Sequence, residues 1–245
     1  VTSIGQDAFS GCSSLDIQIP TGVTSIGSGA FSGTGITSVT IPNGVTTISD
    51  RTFLGCTELT TLVLPSTITS IGTNAFGESA SLTTLTVECS SLDGGWFGDS
   101  DNGNSITSLE LGESVTSVLN GNYFSNLESV TYNCSKYFSL GSDEKVKSVT
   151  LGEKLADMDN NELSSGITSL TISSLTWPTG LTIDLEYLES LTLSEGMKSI
   201  GNDAFYSCSK LVSVEIGDSV TSIGANAHLG DHGFLEHVFL AEHLV

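Results

Sequence analysis

The stretches Val23-Thr-Ser-Ile-Gly27, Val45-Thr-Thr-Ile-Ser49, Ile68-Thr-Ser-Ile-Gly72 and Val220-Thr-Ser-Ile-Gly224 are versions of one short segment, and its period is 22 or 23 residues. An aromatic position accompanies the segment and is occupied by Phe9, Phe31, Phe53, Phe76 and Phe205. Self-similarity at a fixed period of this length is typical of solenoids, in which each repeat forms one coil. The repeat therefore determines the fold class.

Each segment is preceded by an alternating run such as Ile36-Thr-Ser-Val-Thr-Ile-Pro42. Alternation with period two places Val39 and Ile41 on one face of a strand and Ser38 and Thr40 on the other. We therefore predict a β-rich solenoid with a parallel ladder of about 11 coils and short strands or loops on the other side. The predicted ladder runs are Leu15 to Pro20, Ile36 to Pro42, Leu59 to Pro65, Leu82 to Val87, Ile106 to Leu111, Leu127 to Tyr132, Val146 to Leu151, Ile167 to Ile172, Leu188 to Leu193, Leu211 to Ile216 and a degenerate run near Leu235 to Leu240.

A proline or glycine ends many of these runs and is expected to mark a corner of the coil, because proline donates no ladder hydrogen bond. The corner residues are Pro20, Pro42, Pro65, Gly112, Gly152 and Gly217. Coils must bury one another, so we expect one solenoid domain over 1–227, with irregular repeats at 88–105 and 133–188. Residues 228–245 depart from the repeat and form either a natural cap or a sequence introduced artificially.

The chain is strongly acidic, with 28 Asp and Glu against 7 Lys and Arg and a formal net charge of -21. Such a surface repels phosphate backbones and anionic membranes, so nucleic acid is excluded as a partner. No apolar stretch reaches the roughly 18 residues that a membrane helix needs. We therefore expect no membrane insertion within these residues.

The five cysteines predict buried free thiols rather than disulfides. Cys12, Cys56 and Cys208 occupy one point of the repeat. The first two lie two coils apart, or about 9.6 Å at the usual strand spacing, which is too far for a disulfide. Cys89 and Cys134 follow ladder strands and are interpreted in the same way.

The repeat resembles the BspA-like, treponemal type of leucine-rich repeat, whose units alternate an L-x-x-V-x-I-P run with V-T-S-I-G and A-F-x-G-C elements. Close copies here are Leu59-Thr-Thr-Leu-Val-Leu-Pro65, Ile68-Thr-Ser-Ile-Gly72 and Ala75-Phe76. The resemblance extends to about Ala227. It implies a surface-displayed or secreted protein, since some members act as adhesins toward host matrix proteins or other cells.

Two segments invite a metal hypothesis. His228 and His232 have a spacing that suits a shared ion on a helix, but Gly230 and Gly233 weaken a helix there. The other two histidines are His237 and His243. Residues 99–110 place acids at calcium-loop positions, yet Glu110 already belongs to a predicted ladder strand, and a solvated Asp/Asn/Gly turn is the alternative. We predict no metal and no cofactor.

Catalysis is not indicated by any motif in the chain. No histidine outside the tail is present to activate a serine, and no G-x-S-x-G or P-loop sequence occurs. Glu110 and Glu215 face outward but are separated by several coils. We predict that the protein is not an enzyme.

The outward ladder positions form the candidate binding surface, because repeat proteins often bind along such extended faces. Trp96 is a further candidate if it projects from the loop, and the alternative is that Trp96 and Phe97 replace the missing repeat phenylalanine. The candidate ligand-binding residues are Thr61, Thr84, Thr86, Ser108, Glu110, Ser129, Thr131 and Trp96.

The function that this sequence favours is a secreted or cell-surface module for protein–protein interaction and adhesion, with host matrix or cell-surface proteins among its partners. The alternative is a non-catalytic targeting or spacer module of a larger secreted enzyme acting on glycans. An uncovered terminal strand favours edge pairing, so we expect a monomer or an end-to-end dimer.

Overall fold

The computed structural model describes residues 1–92, 94–97, 105–118, 124–138, 145–156, 158, 163–178, 181, 183, 185–205, 207–225, 227 and the backbone of 237–239. The chain divides into two compact units, Val1–Leu127 with Leu140–Ser142, and Glu128–Ser139 with Asp143–Val245. Each unit is built of parallel strands. Helix among the described residues is limited to 3-10 geometry, at Gly94–Phe97 and at the single residues Ser105, Phe124 and Lys145.

The first unit contains one parallel ladder and three short strand pairs at the next corner of the coil. Its ladder order is β3-β5-β7-β9, and the corner pairs are β1-β2, β4-β6 and β8-β10. The strands are β1 (Ser3–Ile4), β2 (Ser25–Ile26), β3 (Ser38–Thr40), β4 (Thr47–Ile48), β5 (Thr61–Leu64), β6 (Ser70–Ile71), β7 (Thr84–Val87), β8 (Ser91–Leu92), β9 (Ser108–Leu111) and β10 (Ser117–Val118).

The second unit repeats this plan with the ladder order β11-β12-β13-β14-β16-β18 and one described corner pair, β15-β17. Its ladder passes through the irregular region 133–188, as predicted. The strands are β11 (Ser129–Tyr132), β12 (Ser148–Leu151), β13 (Ser169–Ile172), β14 (Ser190–Leu193), β15 (Ser199–Ile200), β16 (Ser213–Ile216), β17 (Ser222–Ile223) and β18 (His237–Phe239).

Alternating burial explains why these segments form strands. In β5 the side chains of Leu62 and Leu64 are fully buried, whereas Thr61 and Val63 are only half-buried. The same alternation of buried and half-buried or exposed positions continues through every ladder strand from β7 to β16. The solenoid class predicted from the sequence is confirmed.

The predicted first ladder run, Leu15 to Pro20, is not a strand. In later coils the amide just before the ladder strand donates to a backbone carbonyl of the preceding coil. Thr60 N–H, for example, donates to Thr37 O at 2.9 Å. The Thr37 amide instead donates to the carboxylate of Asp16, at 3.4 Å. Among the described residues the first unit contains four ladder strands and the second unit contains six. The predicted number of about 11 coils is therefore slightly too high.

The predicted proline and glycine corners are confirmed as tight turns. Val45 N–H donates to Pro42 O at 2.9 Å, and Val115 N–H donates to Gly112 O at 3.1 Å. Each bond closes a four-residue turn, in which the first residue provides only its carbonyl. Proline and glycine are therefore both suitable at the end of a ladder strand.

Phenylalanine side chains stack along the core of the first unit. The ring centroids of Phe9, Phe31, Phe53 and Phe76 are 5.3 to 5.4 Å apart in successive coils. Two residues before the ring the backbone is left-handed, at Arg51 (φ 56°) for example, and two residues after it the backbone is again left-handed, at Gly55 (φ 70°) for example. Glycine tolerates this conformation without strain, which explains its frequent place after A-F in the motif.

The cysteine position of the motif lies three residues after the stacked phenylalanine. Cys56 and Cys208 occupy this position, and together with Cys89 and Cys134, which follow ladder strands, they are buried and form no disulfide, as predicted. Cys12 also forms no disulfide but is exposed, which corrects the expectation of a buried thiol there.

The last glycine of V-T-S-I-G allows close packing of the coils at Gly27 and Gly72. A Cβ atom on Gly72 would lie 2.5 Å from the backbone nitrogen of Asp50 and 2.8 Å from its Cα atom. A Cβ atom on Gly27 would meet the backbone of Gln6 at the same distances. Real Cβ atoms do not approach backbone so closely, so Gly27 and Gly72 permit a close approach of two coils, although Ser49 fills the same position in the coil between them.

Candidate binding surface

Two rows of outward side chains cross the ladder of the first unit in strict register. The inner row pairs Ser38 with Thr61, Thr61 with Thr84 and Thr84 with Ser108. The second row is Thr40, Val63, Thr86 and Glu110. Because parallel strands lie about 4.8 Å apart, each row presents side chains at that regular spacing.

Most of these side chains are half-buried by their neighbours. Partial exposure is found for the inner row, Ser38, Thr61, Thr84 and Ser108. Two side chains of the second row, Thr40 and Glu110, are exposed. The hydroxyl of Thr86 donates to the carboxylate of Glu110 at 3.5 Å. Glu110 lies in β9 and is thus held on the ladder face.

The second unit has the corresponding rows over more strands. Ser129 and Thr131 begin them in β11, and the register is continuous from there to β16. The inner row is Ser129, Ser148, Ser169, Ser190 and Ser213, and the second row is Thr131, Thr150, Thr171, Thr192 and Glu215. The sequence-predicted residues of each unit therefore lie together on one face of its ladder.

A third row was not included in the sequence prediction. Thr37, Thr60, Thr83 and Thr107 precede the ladder strands of the first unit, and the first three are more exposed than the inner row. Their hydroxyls bind carbonyls of the preceding coil: Thr60 Oγ1 donates to Thr37 O at 3.1 Å and Thr83 Oγ1 donates to Thr60 O at 3.4 Å. The threonine that precedes every ladder strand of the first unit was the available sequence signal.

The corner strands carry a further set of exposed hydroxyls that the sequence prediction did not include. Thr46, Thr47, Thr69 and Ser70 are all exposed, because two successive residues point outward where the chain bends. Thr69 Oγ1 donates to Thr46 O at 3.0 Å, and Ser70 Oγ donates to Thr47 Oγ1 at 3.2 Å. The Thr-Ser pair inside V-T-S-I-G identifies these positions.

The interpretation of Trp96 as an exposed anchor is wrong. Its side chain is only 1% exposed, and Phe97 is also buried. The carbonyl of Trp96 accepts the Phe76 amide at 2.9 Å, just as the carbonyl of Ala75 accepts the Phe53 amide. Trp96 thus takes the alanine position and Phe97 the phenylalanine position, which confirms the alternative that these aromatics complete the core.

The thiols are shielded rather than activated. Burial raises the pKa of the Cys56 thiol, and its hydrogen bond to Thr34 opposes that shift only partly. Burial likewise raises the pKa of the Cys134 thiol. A reactive cysteine needs a lowered pKa, so neither thiol has the environment of a nucleophile.

The described part of the chain contains no group of three or more His, Cys, Asp or Glu side chains able to hold a metal ion. Residues 98–104 and the side chains of the four tail histidines lie outside the described residues, and so do both metal hypotheses that rest on them. No described helix is long and apolar enough to cross a bilayer.

In-register ladders, tight corners and a stacked aromatic core together define a leucine-rich-repeat solenoid. A family model for the BspA type leucine rich repeat region matches residues 1–102 and 183–240 in 6 copies. Because these ranges include more than half of the chain, the protein belongs to the BspA-type leucine-rich-repeat family. Such repeat proteins generally serve protein–protein interaction and are generally non-catalytic scaffolds. No curated protein matches the chain.

The chain is also similar to several solved structures at low identity. A leucine-rich repeat protein from Bacteroides ovatus is 22% identical, over 94% of this chain and 80% of that chain, with a TM-score of 0.33. A leucine rich cell surface protein from Faecalibacterium prausnitzii is 24% identical, over 86% and 62%, with a TM-score of 0.33. The pneumococcal vaccine antigen PcpA is 16% identical, over 92% and 74%, with a TM-score of 0.31.

Proposed function

We propose that this protein is a secreted or cell-surface adhesion module that binds a protein partner through the outward face of its ladder strands. The observation that supports this proposal is the continuous register of outward side chains, from Ser38 to Ser108 in the first unit and from Ser129 to Ser213 in the second. Rigid neighbouring strands hold these groups, so little side-chain freedom is lost on binding.

The chemistry of this face suits protein recognition rather than capture of an anion. Its rows carry hydroxyls, one valine and the carboxylates of Glu110 and Glu215. Hydroxyls both donate and accept hydrogen bonds, which matches the mixed polar surface of a folded partner.

The test is binding of the chain to a panel of host matrix proteins and glycans, with and without calcium. We expect saturable binding to a matrix protein that is lost when Thr84 and Ser108, or Thr131, are changed to lysine. Thr47→Lys is the matched control, because Thr47 is exposed on a corner strand rather than on the ladder. Circular dichroism confirms that each variant remains folded.

Binding that tolerates the ladder variants would contradict the proposed surface. Glycan binding without protein binding would replace the adhesion proposal with that of a targeting module belonging to a larger secreted enzyme. Light scattering after size-exclusion chromatography measures the oligomeric state, for which a monomer or an end-to-end dimer is proposed.

A further inference from the structure

The residues that precede the ladder strands differ in chemistry between the two units. Before each ladder strand lies one buried residue, and the residues directly before and after it point outward. These two outward positions of every coil are called here the leading edge. In the first unit the row after the buried residue is threonine throughout, from Thr37 to Thr107. In the second unit the leading edge carries lysine, tyrosine, glutamate and valine.

The leading edge of the second unit is a continuous surface. Its row after the buried residue runs from Glu128 through Lys147, Thr168 and Glu189 to Val212. Backbone bonds from amide to carbonyl of 2.9, 2.9, 2.9 and 3.0 Å join these five residues in turn. The row before the buried residue contains Lys145, Gly166, Tyr187 and Lys210. Side chains from neighbouring coils therefore lie beside one another along this edge.

Two lysines on this edge are engaged by neutral groups. Lys147 Nζ donates to the carbonyl of Gly166 at 3.1 Å, and Lys210 Nζ lies 4.1 Å from the ring centroid of Tyr187. Within the described residues neither ammonium group forms an ion pair with a carboxylate. The chain has 28 acidic and only 7 basic residues, so two lysines without a carboxylate partner on one edge are unusual.

Exposed apolar surface adjoins Lys210, whereas Lys147 lies two coils before Tyr187 and three coils before Val212. Tyr187 is 46% exposed and Val212 is 58% exposed, although most large apolar side chains of the chain are buried. Lys210 lies over the tyrosine ring, which fixes the ring and keeps the charge at the surface. Tyrosine is enriched among residues that dominate binding energy, because its large ring loses little entropy on contact.

We propose that Tyr187, Lys210 and Val212, with Lys147, anchor the protein partner, and that the partner contributes an apolar side chain flanked by carboxylates. The apolar side chain packs on Tyr187 and Val212, and the carboxylates pair with the two ammonium groups. Glu189 and Glu186 are exposed beside the anchor and repel carboxylates placed over them, which restricts the partner's acids to the lysine positions. This inference rests on the proposed function and specifies the chemistry of its partner.

The net charge alone predicts a basic partner, whereas the anchor predicts an acidic and apolar one, so an experiment can distinguish the two predictions. A chain with a net charge of -21 attracts basic peptides by long-range electrostatics. The experiment selects peptides from a random displayed library on the immobilised full chain at physiological ionic strength. Selected peptides are then titrated against Tyr187→Ser, Lys210→Glu and the matched charge control Lys198→Glu, whose exposed lysine lies just before β15.

We expect selected peptides that combine aspartate or glutamate with an aromatic or aliphatic residue. Their affinity should fall by about tenfold or more in Tyr187→Ser and Lys210→Glu and stay within about twofold in Lys198→Glu. Basic peptides, peptides that bind the variants as tightly as the parent, or no selected peptide would each overturn the inference.

The outcomes also separate this inference from the proposed function. If a matrix protein binds the parent, and this binding is lost in Thr84→Lys and Ser108→Lys but kept in Tyr187→Ser, the ladder proposal stands and the anchor is wrong. If acidic apolar peptides bind at Tyr187 while no matrix protein binds, the anchor stands and the proposed class of host partner fails.

Discussion

Ser79 occupies the same position in its coil as Cys56 does in the preceding coil, three residues after a stacked phenylalanine. The Cys56 thiol donates to the carbonyl of Phe31 at 3.2 Å and contacts the hydroxyl of Thr34 at 3.4 Å. The hydroxyl of Ser79 is buried to 1% exposure and has no hydrogen-bond partner among the described residues. A buried hydroxyl without a partner costs about 1 to 3 kcal/mol.

Replacing Ser79 with cysteine should therefore stabilise the protein. The thiol is less costly to bury than the hydroxyl, and we expect the free energy of unfolding to rise by about 1 kcal/mol. Urea denaturation followed by circular dichroism measures the change. Ser81→Cys, at an exposed site two residues later, should stay within about 0.5 kcal/mol of the parent. A Ser79→Cys protein no more stable than the parent would show that the hydroxyl is satisfied in solution.

Gly55→Ala should destabilise the protein through backbone conformation alone. Gly55 has a φ of 70°, and its added Cβ would meet nothing closer than Glu78 Oε2 at 3.8 Å. A left-handed backbone costs a residue with a Cβ atom about 1 to 2 kcal/mol. Gly95→Ala is the control, since no neighbouring atom lies within 4 Å of its added Cβ. Equal unfolding midpoints for the two variants would contradict the left-handed assignment.

Gly72→Ala should be more damaging than Gly55→Ala, because its Cβ would overlap the backbone of Asp50. The coils must separate locally, and the bond from Gly72 N–H to Ile48 O, now 2.8 Å, must lengthen. We expect a loss of more than about 2 kcal/mol, measured by the same denaturation experiment. A smaller loss in the free energy of unfolding than in Gly55→Ala would mean that the coils can separate at this corner at little cost.

Phe53→Ala should remove the centre of the aromatic stack. Phe53 is fully buried between Phe31 and Phe76, so the substitution leaves a cavity and should cost about 3 to 5 kcal/mol. Tyr187→Ala, which removes an exposed ring, is the size-matched control and should stay within about 0.5 kcal/mol. Thermal unfolding of both variants tests the difference. Similar unfolding temperatures would contradict the stacked core.

The thiols should differ in reactivity, and the buried ones should link stability to alkaline pH. Cys12 should react quickly with iodoacetamide in the native protein, and Cys56 and Cys134 slowly, as peptide mass spectrometry can measure. The raised pKa of the Cys56 thiol means that the unfolded chain loses this proton first. Stability is therefore constant below the ordinary thiol pKa and falls as pH rises through the higher folded pKa. Fast labelling of Cys56 at neutral pH would contradict this.

The sequence was sufficient for the repeat, the ladder and the corners, because each depends on local periodicity. Alternation from Thr61 to Leu64 predicts which side chains are buried, and Pro42 or Gly112 predicts where a strand ends. The ladder rows from Thr61 to Glu110 follow directly. Trp96 was ambiguous, since a local sequence does not reveal whether a ring fills the core of a neighbouring coil.

Tertiary structure decided what depends on contacts between coils, about 22 residues apart. It showed that Gly27 and Gly72 lie against the backbone of the preceding coil and that Trp96 and Phe97 complete the core. It also showed that Ser79 is buried without a partner. The pairing of Lys210 with Tyr187 has the same origin, because register across coils brings together residues whose chemistry no single repeat contains. Local pattern thus determined the fold of this protein, whereas packing between coils decided which side chains remain available for a partner.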